Sequence, residues 1–303
     1  MKHLELLNVA LALRFRQPGW PPLLAEAEYL VDRVGVGFRL GDGTMLSPDI
    51  VATCRPRSVT LLTEIKGGAN LDVGQLGRME RVTPEDLRDF AHLSIANPQT
   101  HRIGIVYLCN EEHFDAIVVA STGRRATIIG FDGRRFHLGG APLVDGQLGA
   151  AFAQARVEEG VPPLDLFPFD KESDLPTVAR SVIPEVVARL IEGAGLFSVD
   201  EVFKGTHATV YGPMQSTGSG AEADPIKRRI TALLTEAARG EFSTWIEQVP
   251  HQTLWRFRSS LPFDQAARTR ELKAIQRAAT TLIERLGGGR ADQLDLFDNL
   301  PDG

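Results

Sequence analysis

The chain has 303 residues, 43% of them hydrophobic, which exceeds a usual single domain and is enough for two buried cores. Its formal charge of −6 speaks against a uniformly basic nucleic-acid-coating protein. It shows no apolar run of membrane-spanning length and no basic, apolar leader, and Cys54 and Cys109 stand singly without zinc spacing, so secretion, membrane insertion and structural zinc are disfavoured and a reducing cytoplasm is expected.

The first predicted element is a helix from His3 to Arg14, with Leu6, Leu7, Ala10 and Leu13 at helical spacing, stopped before Pro18-Gly19-Trp20-Pro21-Pro22. A second helix is read from Leu23 to Val31, carrying Glu26 and Glu28. Strands follow over Val34 to Leu40 and Thr44 to Thr53, joined by Gly41-Asp42-Gly43, and over Val59 to Lys66. Beyond Gly67-Gly68 a short helix starting near Asp72 would carry Gln75, and Arg102 to Cys109 reads as a buried strand. Phe114 to Val119 fits either helix or strand, and Ala126 to Phe131 and Phe136 to Leu138 read as strands around Asp132-Gly133.

This first region spans 1–157, and a stretch rich in proline, aspartate and phenylalanine, 158–175, reads as a linker. A mainly helical region, 176–286, comes next. It opens with an amphipathic helix from Pro176 to Glu192, with Val178, Val182, Val186, Leu190 and Ile191 on one stripe. Ser198 then caps a short helix through Val202, Asp224-Pro225 begins another, and Asp264 caps a long one with Leu272, Ile275, Ala279, Leu282 and Leu286 in register. The polar, glycine-rich loop from Ser216 to Ala223 has the look of a wing or hairpin tip. A tail, 287–303, leaves the last helix through Gly287-Gly288-Gly289 and is too short and polar to fold alone.

Chemistry concentrates where two apolar runs end. One is Leu46-Ser47-Pro48-Asp49-Ile50-Val51-Ala52 and the other Leu61-Leu62-Thr63-Glu64-Ile65-Lys66. Side chains alternate faces along a strand, so Glu64 and Lys66 share one surface while Ile65 turns to the opposite one. If the two runs pair, Asp49 comes alongside Glu64, and two carboxylates a few ångströms apart suit a hard divalent cation, magnesium first or manganese. Lys66 beside them would orient or deprotonate a water, or offset charge building on a phosphate. The plain alternative is a solvated cross-strand charge pair.

Pro48-Asp49 followed by Glu64-Ile65-Lys66 resembles the PD-(D/E)xK nuclease superfamily, which includes restriction endonucleases, Holliday junction resolvases and many repair and defence nucleases. The resemblance implies an α/β fold with a restriction-endonuclease-like mixed-sheet core: a leading helix, a three-stranded meander carrying the acids, a further helix and a later strand. It also implies a metal held by Asp49, Glu64 and the Ile65 carbonyl, with Lys66 and Gln75 completing the catalytic set. Of the acids on the expected leading helix, Glu28 is favoured as an additional ligand.

Divided along the chain, the charge is uneven: Ile226 to Arg290 carries twelve Lys or Arg against six Asp or Glu, and Ala291 to Gly303 carries four Asp and no base. Lys227-Arg228-Arg229 and Arg256 with Arg258 are therefore candidates for gripping a DNA backbone, as is Arg268-x-Arg270, and each is equally read as a solvated helix face. The helical region has a winged-helix-like outline, DNA-reading or dimerising. In the tail, Gln293-Leu294-Asp295-Leu296-Phe297 resembles the bacterial sliding-clamp binding motif, in which a glutamine and a Leu-Phe pair dock on the DNA polymerase clamp. Leu164-Asp165-Leu166-Phe167 repeats its core without the glutamine, which reads as a linker pinned by its hydrophobes. Together these features point to a metal-dependent DNA nuclease, nucleoid-associated and recruited to the clamp, in repair or phage defence. The alternative is a non-catalytic adaptor binding DNA and the clamp. A homodimer would be the form that cuts both strands.

Overall fold

The computed structural model of the protein describes residues 1–215, 223–250 and 252–287. The expected clamp-binding residues Gln293, Leu294, Leu296 and Phe297, and the glycine-rich loop up to residue 222, lie outside them. The chain forms two compact units that divide between Phe167 and Pro168, inside the expected linker, with residues 209–215 grouped with the first unit.

The first unit comprises α1 (His3–Ala12), α2 (Leu23–Glu26), β1 (Tyr29–Val34), β2 (Phe38–Arg39), β3 (Met45–Leu46), β4 (Ile50–Cys54) and β5 (Val59–Lys66). It continues with α3 (Val73–Met79), α4 (Pro84–Asp89), β6 (Arg102–Asn110), α5 (Glu111–Ala120), β7 (Ala126–Phe131), β8 (Phe136–Gly140) and α6 (Gly146–Gln154). Six strands form one mixed sheet in the order β1-β4-β5-β6-β7-β8, and β2 and β3 make a separate hairpin. The run β1-β4-β5 is antiparallel, β6 and β7 continue parallel to β5, and β8 closes antiparallel. On one face Val51, Leu62, Ile105 and Ile128 pack with Leu76 and Met79 of α3, Leu87 of α4 and Ile117 of α5. Ala10, Leu24 and Phe152 meet Ala52, Leu61, Leu108 and Ile129 on the other. Cys54 and Cys109 are buried free thiols, and burial pushes the Cys109 thiol up to about 12.

Three expected elements are corrected. The helix over Leu23 to Val31 stops at Glu26, because Glu28 takes a left-handed φ of 56° and Tyr29 begins β1, whose ladder to β4 outweighs local helical periodicity. The strand over Val34 to Leu40 breaks at Gly35, also left-handed at φ 60°. That over Thr44 to Thr53 splits into β3 and β4 around Pro48, which has no N–H to give to a ladder.

The linker is pinned mainly by polar groups. Asn8 reads the Phe167 backbone in both directions, donating from Nδ2 to its carbonyl at 3.0 Å and accepting its N–H at 2.8 Å. The Trp20 indole N–H donates to the Val161 carbonyl at 3.0 Å. Phe167 is buried and Leu164 is exposed.

The rest of the chain contains α7 (Leu175–Ile191), β9 (Leu196–Ser198), α8 (Val199–Thr206), α9 (Tyr211–Gln215), α10 (Ala223–Arg239), β10 (Ile246–Gln248), β11 (Leu254–Phe257) and α11 (Gln265–Arg285). All except α9 belong to the second unit, where a small antiparallel sheet, β10-β11-β9, backs the helices. Sequence periodicity misses these strands, since three or four residues carry too little pattern. Ser198 and Asp264 cap α8 and α11 as expected, each accepting a backbone N–H from three residues ahead. The core holds Trp255, Phe197, Phe203 and a buried His207, whose Nε2 lies 3.0 Å from the Phe169 carbonyl. Burial depresses the His207 imidazole to about 4, so it is neutral at physiological pH.

Candidate active site

Four of the predicted residues meet at one end of β5. Asp49 precedes β4, directly past the point where Ile50 pairs with Thr63, and is fixed twice. Its carbonyl accepts the Gly35 N–H at 2.8 Å, and its carboxylate Oδ2 accepts the Ile65 N–H at 2.7 Å. The left-handed turn at Gly35 aims that N–H and is costly for a side-chain-bearing residue. Glu64 and Lys66 leave the same face of β5, with Lys66 Nζ 3.1 Å from Glu64 Oε1, while Ile65 between them is buried.

Gln75 reaches the same carboxylate from another element. Asp72 caps α3 by accepting the Gln75 backbone N–H at 2.9 Å, and the Gln75 side-chain amide donates to Glu64 Oε2 at 2.7 Å. Both Glu64 oxygens are thus engaged, one by a cation and one by a neutral donor. Tyr107, opposite Glu64 on β6, places its ring 5.8 Å from Lys66 Nζ.

Burial, and then repulsion from the Asp49 carboxylate, pushes the Glu64 carboxyl up to about 7 despite Lys66 and Gln75. The Asp49 carboxylate is therefore close enough to oppose the ionisation of Glu64. Side-chain exposure of 22% for Asp49 and 10% for Glu64 leaves both within reach of solvent.

His3 joins this group without having been foreseen. It opens α1, and its Nε2 sits 3.3 Å from Asp49 Oδ1. Gly67, immediately after Lys66, permits the approach, because a Cβ there would stand 3.1 Å from the His3 backbone nitrogen. The chain start is also tied to the end of β6, where the Asn110 amide donates to the Met1 carbonyl at 2.8 Å. Gly67-Gly68 was read as a turn; nothing in the sequence shows that a helix start distant in the chain packs there.

Comparison with known proteins returns no matching family model, no matching curated protein and no matching solved structure.

Glu28 is not brought to this group. It precedes Tyr29, which pairs with Cys54 at the end of the β1–β4 ladder remote from Asp49. His101, at the opposite end of β5 from Glu64, is buried against Thr60 at 2.8 Å, and His113 lies 3.4 Å from Glu112. Among the described residues no set of three or more His, Cys, Asp or Glu side chains forms a metal-binding cluster.

In the second unit the predicted phosphate-gripping residues are mostly engaged. Lys227 pairs with Asp200 at 2.6 Å and lies 5.6 Å from the centre of the Phe203 ring, and Arg229 donates to the Lys171 carbonyl at 2.9 Å. Arg256 and Arg258 both pair with Glu247, the latter at 2.9 Å. Arg228 is exposed. Among the described residues no helix is long and apolar enough to cross a membrane.

Proposed function

We propose that the first unit is a magnesium- or manganese-dependent DNA nuclease of the PD-(D/E)xK type. The observation that carries this reading is the convergence of Asp49, Glu64, Lys66 and Gln75, three of them linked through Glu64 at 3.1 and 2.7 Å. The antiparallel run β1-β4-β5 followed by parallel β6 supports it, having the strand order such a core requires.

The donor set fits a hard cation. Magnesium keeps several waters and takes one or two carboxylates from the protein, so Asp49, Glu64 and the Ile65 carbonyl suffice to hold it. The part of the Glu64 shift that comes from Asp49, second to burial, would be relieved by a cation held at these acids. When bound, the cation supplies Lewis-acid stabilisation of the phosphate and a more acidic water. The protein's own groups do the remainder. Lys66, as an ammonium, orients the attacking water and offsets charge on the phosphate, Gln75 fixes the rotamer of Glu64, and the Ile65 N–H holds Asp49 against the strand.

The second unit runs helix, strand, helix, helix, strand, strand, helix, which supports a winged-helix-like reading, with the β10–β11 connection rather than the 216–223 loop in the place of the wing. On this reading it contributes DNA contacts, and residues 293–297 recruit the enzyme to the sliding clamp at the nucleoid in repair or phage defence. Incubating wild type, Glu64→Gln and Lys66→Ala with DNA and magnesium tests the nuclease assignment: cleavage by wild type alone supports it. DNA binding without cleavage by any of the three would favour the non-catalytic adaptor.

A further inference from the structure

Several basic side chains of the second unit are held in ion pairs: Arg189 pairs with Glu185, Lys227 with Asp200, Arg256 and Arg258 share Glu247, and Arg285 pairs with Glu241. The outer face of α11 differs. Arg270, Lys273 and Arg277 lie exposed at helical spacing, and no carboxylate of the described residues pairs with them. Glu271, beside the row, is turned to accept the Trp245 indole N–H at 2.5 Å. The three cations span about 10 Å along the helix axis.

A second observation lies at the start of the same helix. Phe263 is 102% exposed, so its ring has no cover at all. The backbone that carries it is nonetheless anchored, because Leu261 before it is buried and Asp264 after it caps α11 by accepting the Ala267 N–H at 2.8 Å. A wholly exposed aromatic ring on an anchored backbone, at the start of a helix carrying a row of cations without carboxylate partners among the described residues, is a combination by which proteins bind single strands. The cations follow the backbone and the ring stacks on a base, which in a duplex is already stacked and unreachable.

We propose that Phe263 and the Arg270, Lys273 and Arg277 face of α11 form a track for single-stranded polynucleotide. This deepens the nucleic-acid reading of the second unit and is independent of the chemistry at Glu64. The full chain is titrated, with chelator present so that cleavage does not intervene, into a labelled oligothymidine of about 15 nucleotides, a duplex of equal length and an acidic peptide. The expected result is a preference for the single strand that Phe263→Ala weakens about tenfold and Phe263→Trp retains. Replacing all three cations with alanine should lower the slope of log affinity against log salt by about 2. Unchanged single-strand affinity in Phe263→Ala together with an unchanged slope in the triple variant would overturn the proposal. Tighter binding of the acidic peptide than of the oligonucleotide, dependent on the same cations, would overturn it too and assign the face to a protein partner. A catalytically dead protein that still binds in this pattern would sink the nuclease reading alone.

Discussion

The Asp49 carboxylate accepts the Ile65 backbone N–H at 2.7 Å, so the first acid is fixed by the strand that carries the second. Substitution here separates architecture from chemistry. Asp49→Asn keeps an oxygen acceptor and should fold with a melting temperature near wild type, whereas Asp49→Ala leaves the N–H unpaired and should lose about 1–2 kcal/mol. Both should cut DNA at least about a hundredfold more slowly, because each removes a charge that acts in the transition state. Calorimetry beside a cleavage assay reads both effects.

Glu64 makes stability depend on pH. Its carboxyl titrates at about 7 in the fold, through burial and then Asp49, against an ordinary value of 4.5. Between those values the unfolded chain has lost this proton and the folded chain retains it, so folding takes up a proton and stability falls as pH rises. The favourable contribution is complete below the unfolded value and gone above the folded one. In chelator, Glu64→Gln should therefore gain on wild type from pH 5 to pH 8, measured as the difference in melting temperature. A difference that does not change with pH would show that Glu64 is not held protonated.

Gln75 acts on the site through Glu64. Its backbone N–H serves the Asp72 cap, which Gln75→Ala preserves, so the variant should fold normally. Loss of the 2.7 Å amide contact should weaken the apparent affinity for magnesium by about tenfold, read from the metal dependence of cleavage.

Gly104 tests the packing of β6 on its neighbours. A Cβ there would stand 2.6 Å from Val144 Cγ1 and 2.8 Å from Leu61 Cδ2. Gly104→Ala should cost about 1–3 kcal/mol in denaturant unfolding, with activity per folded molecule unchanged.

Deleting residues 293–297 should abolish binding to purified sliding clamp and leave cleavage of naked DNA intact. Undiminished clamp affinity would return the tail to an intramolecular role.

The sequence made the centre of the site legible because its signals are local. Val59 to Lys66 is rich in strand formers and ends at two glycines, and it is β5 with the expected limits. Asp72 is a strong cap, and α3 begins behind it with Gln75 turned inward. What remained hidden depends on distant partners. The stretch that reads as a helix through Val31 becomes β1 because β4 lies ready to pair with it, and Glu28 goes to the wrong end of that ladder as a result. His3 reaches Asp49 only once α1 has packed against the end of β5. The pairing of both Arg256 and Arg258 with Glu247 follows from a β10–β11 pairing too short to show in periodicity.

The most direct test of the account is cleavage of linear, supercoiled, forked and single-stranded DNA by wild type and Glu64→Ala, with magnesium, manganese or chelator. The account predicts metal-dependent cleavage by wild type that is lost in the variant and in chelator. Cleavage by Glu64→Ala at the wild-type rate, or none by wild type in either metal on any of the four substrates, would contradict it.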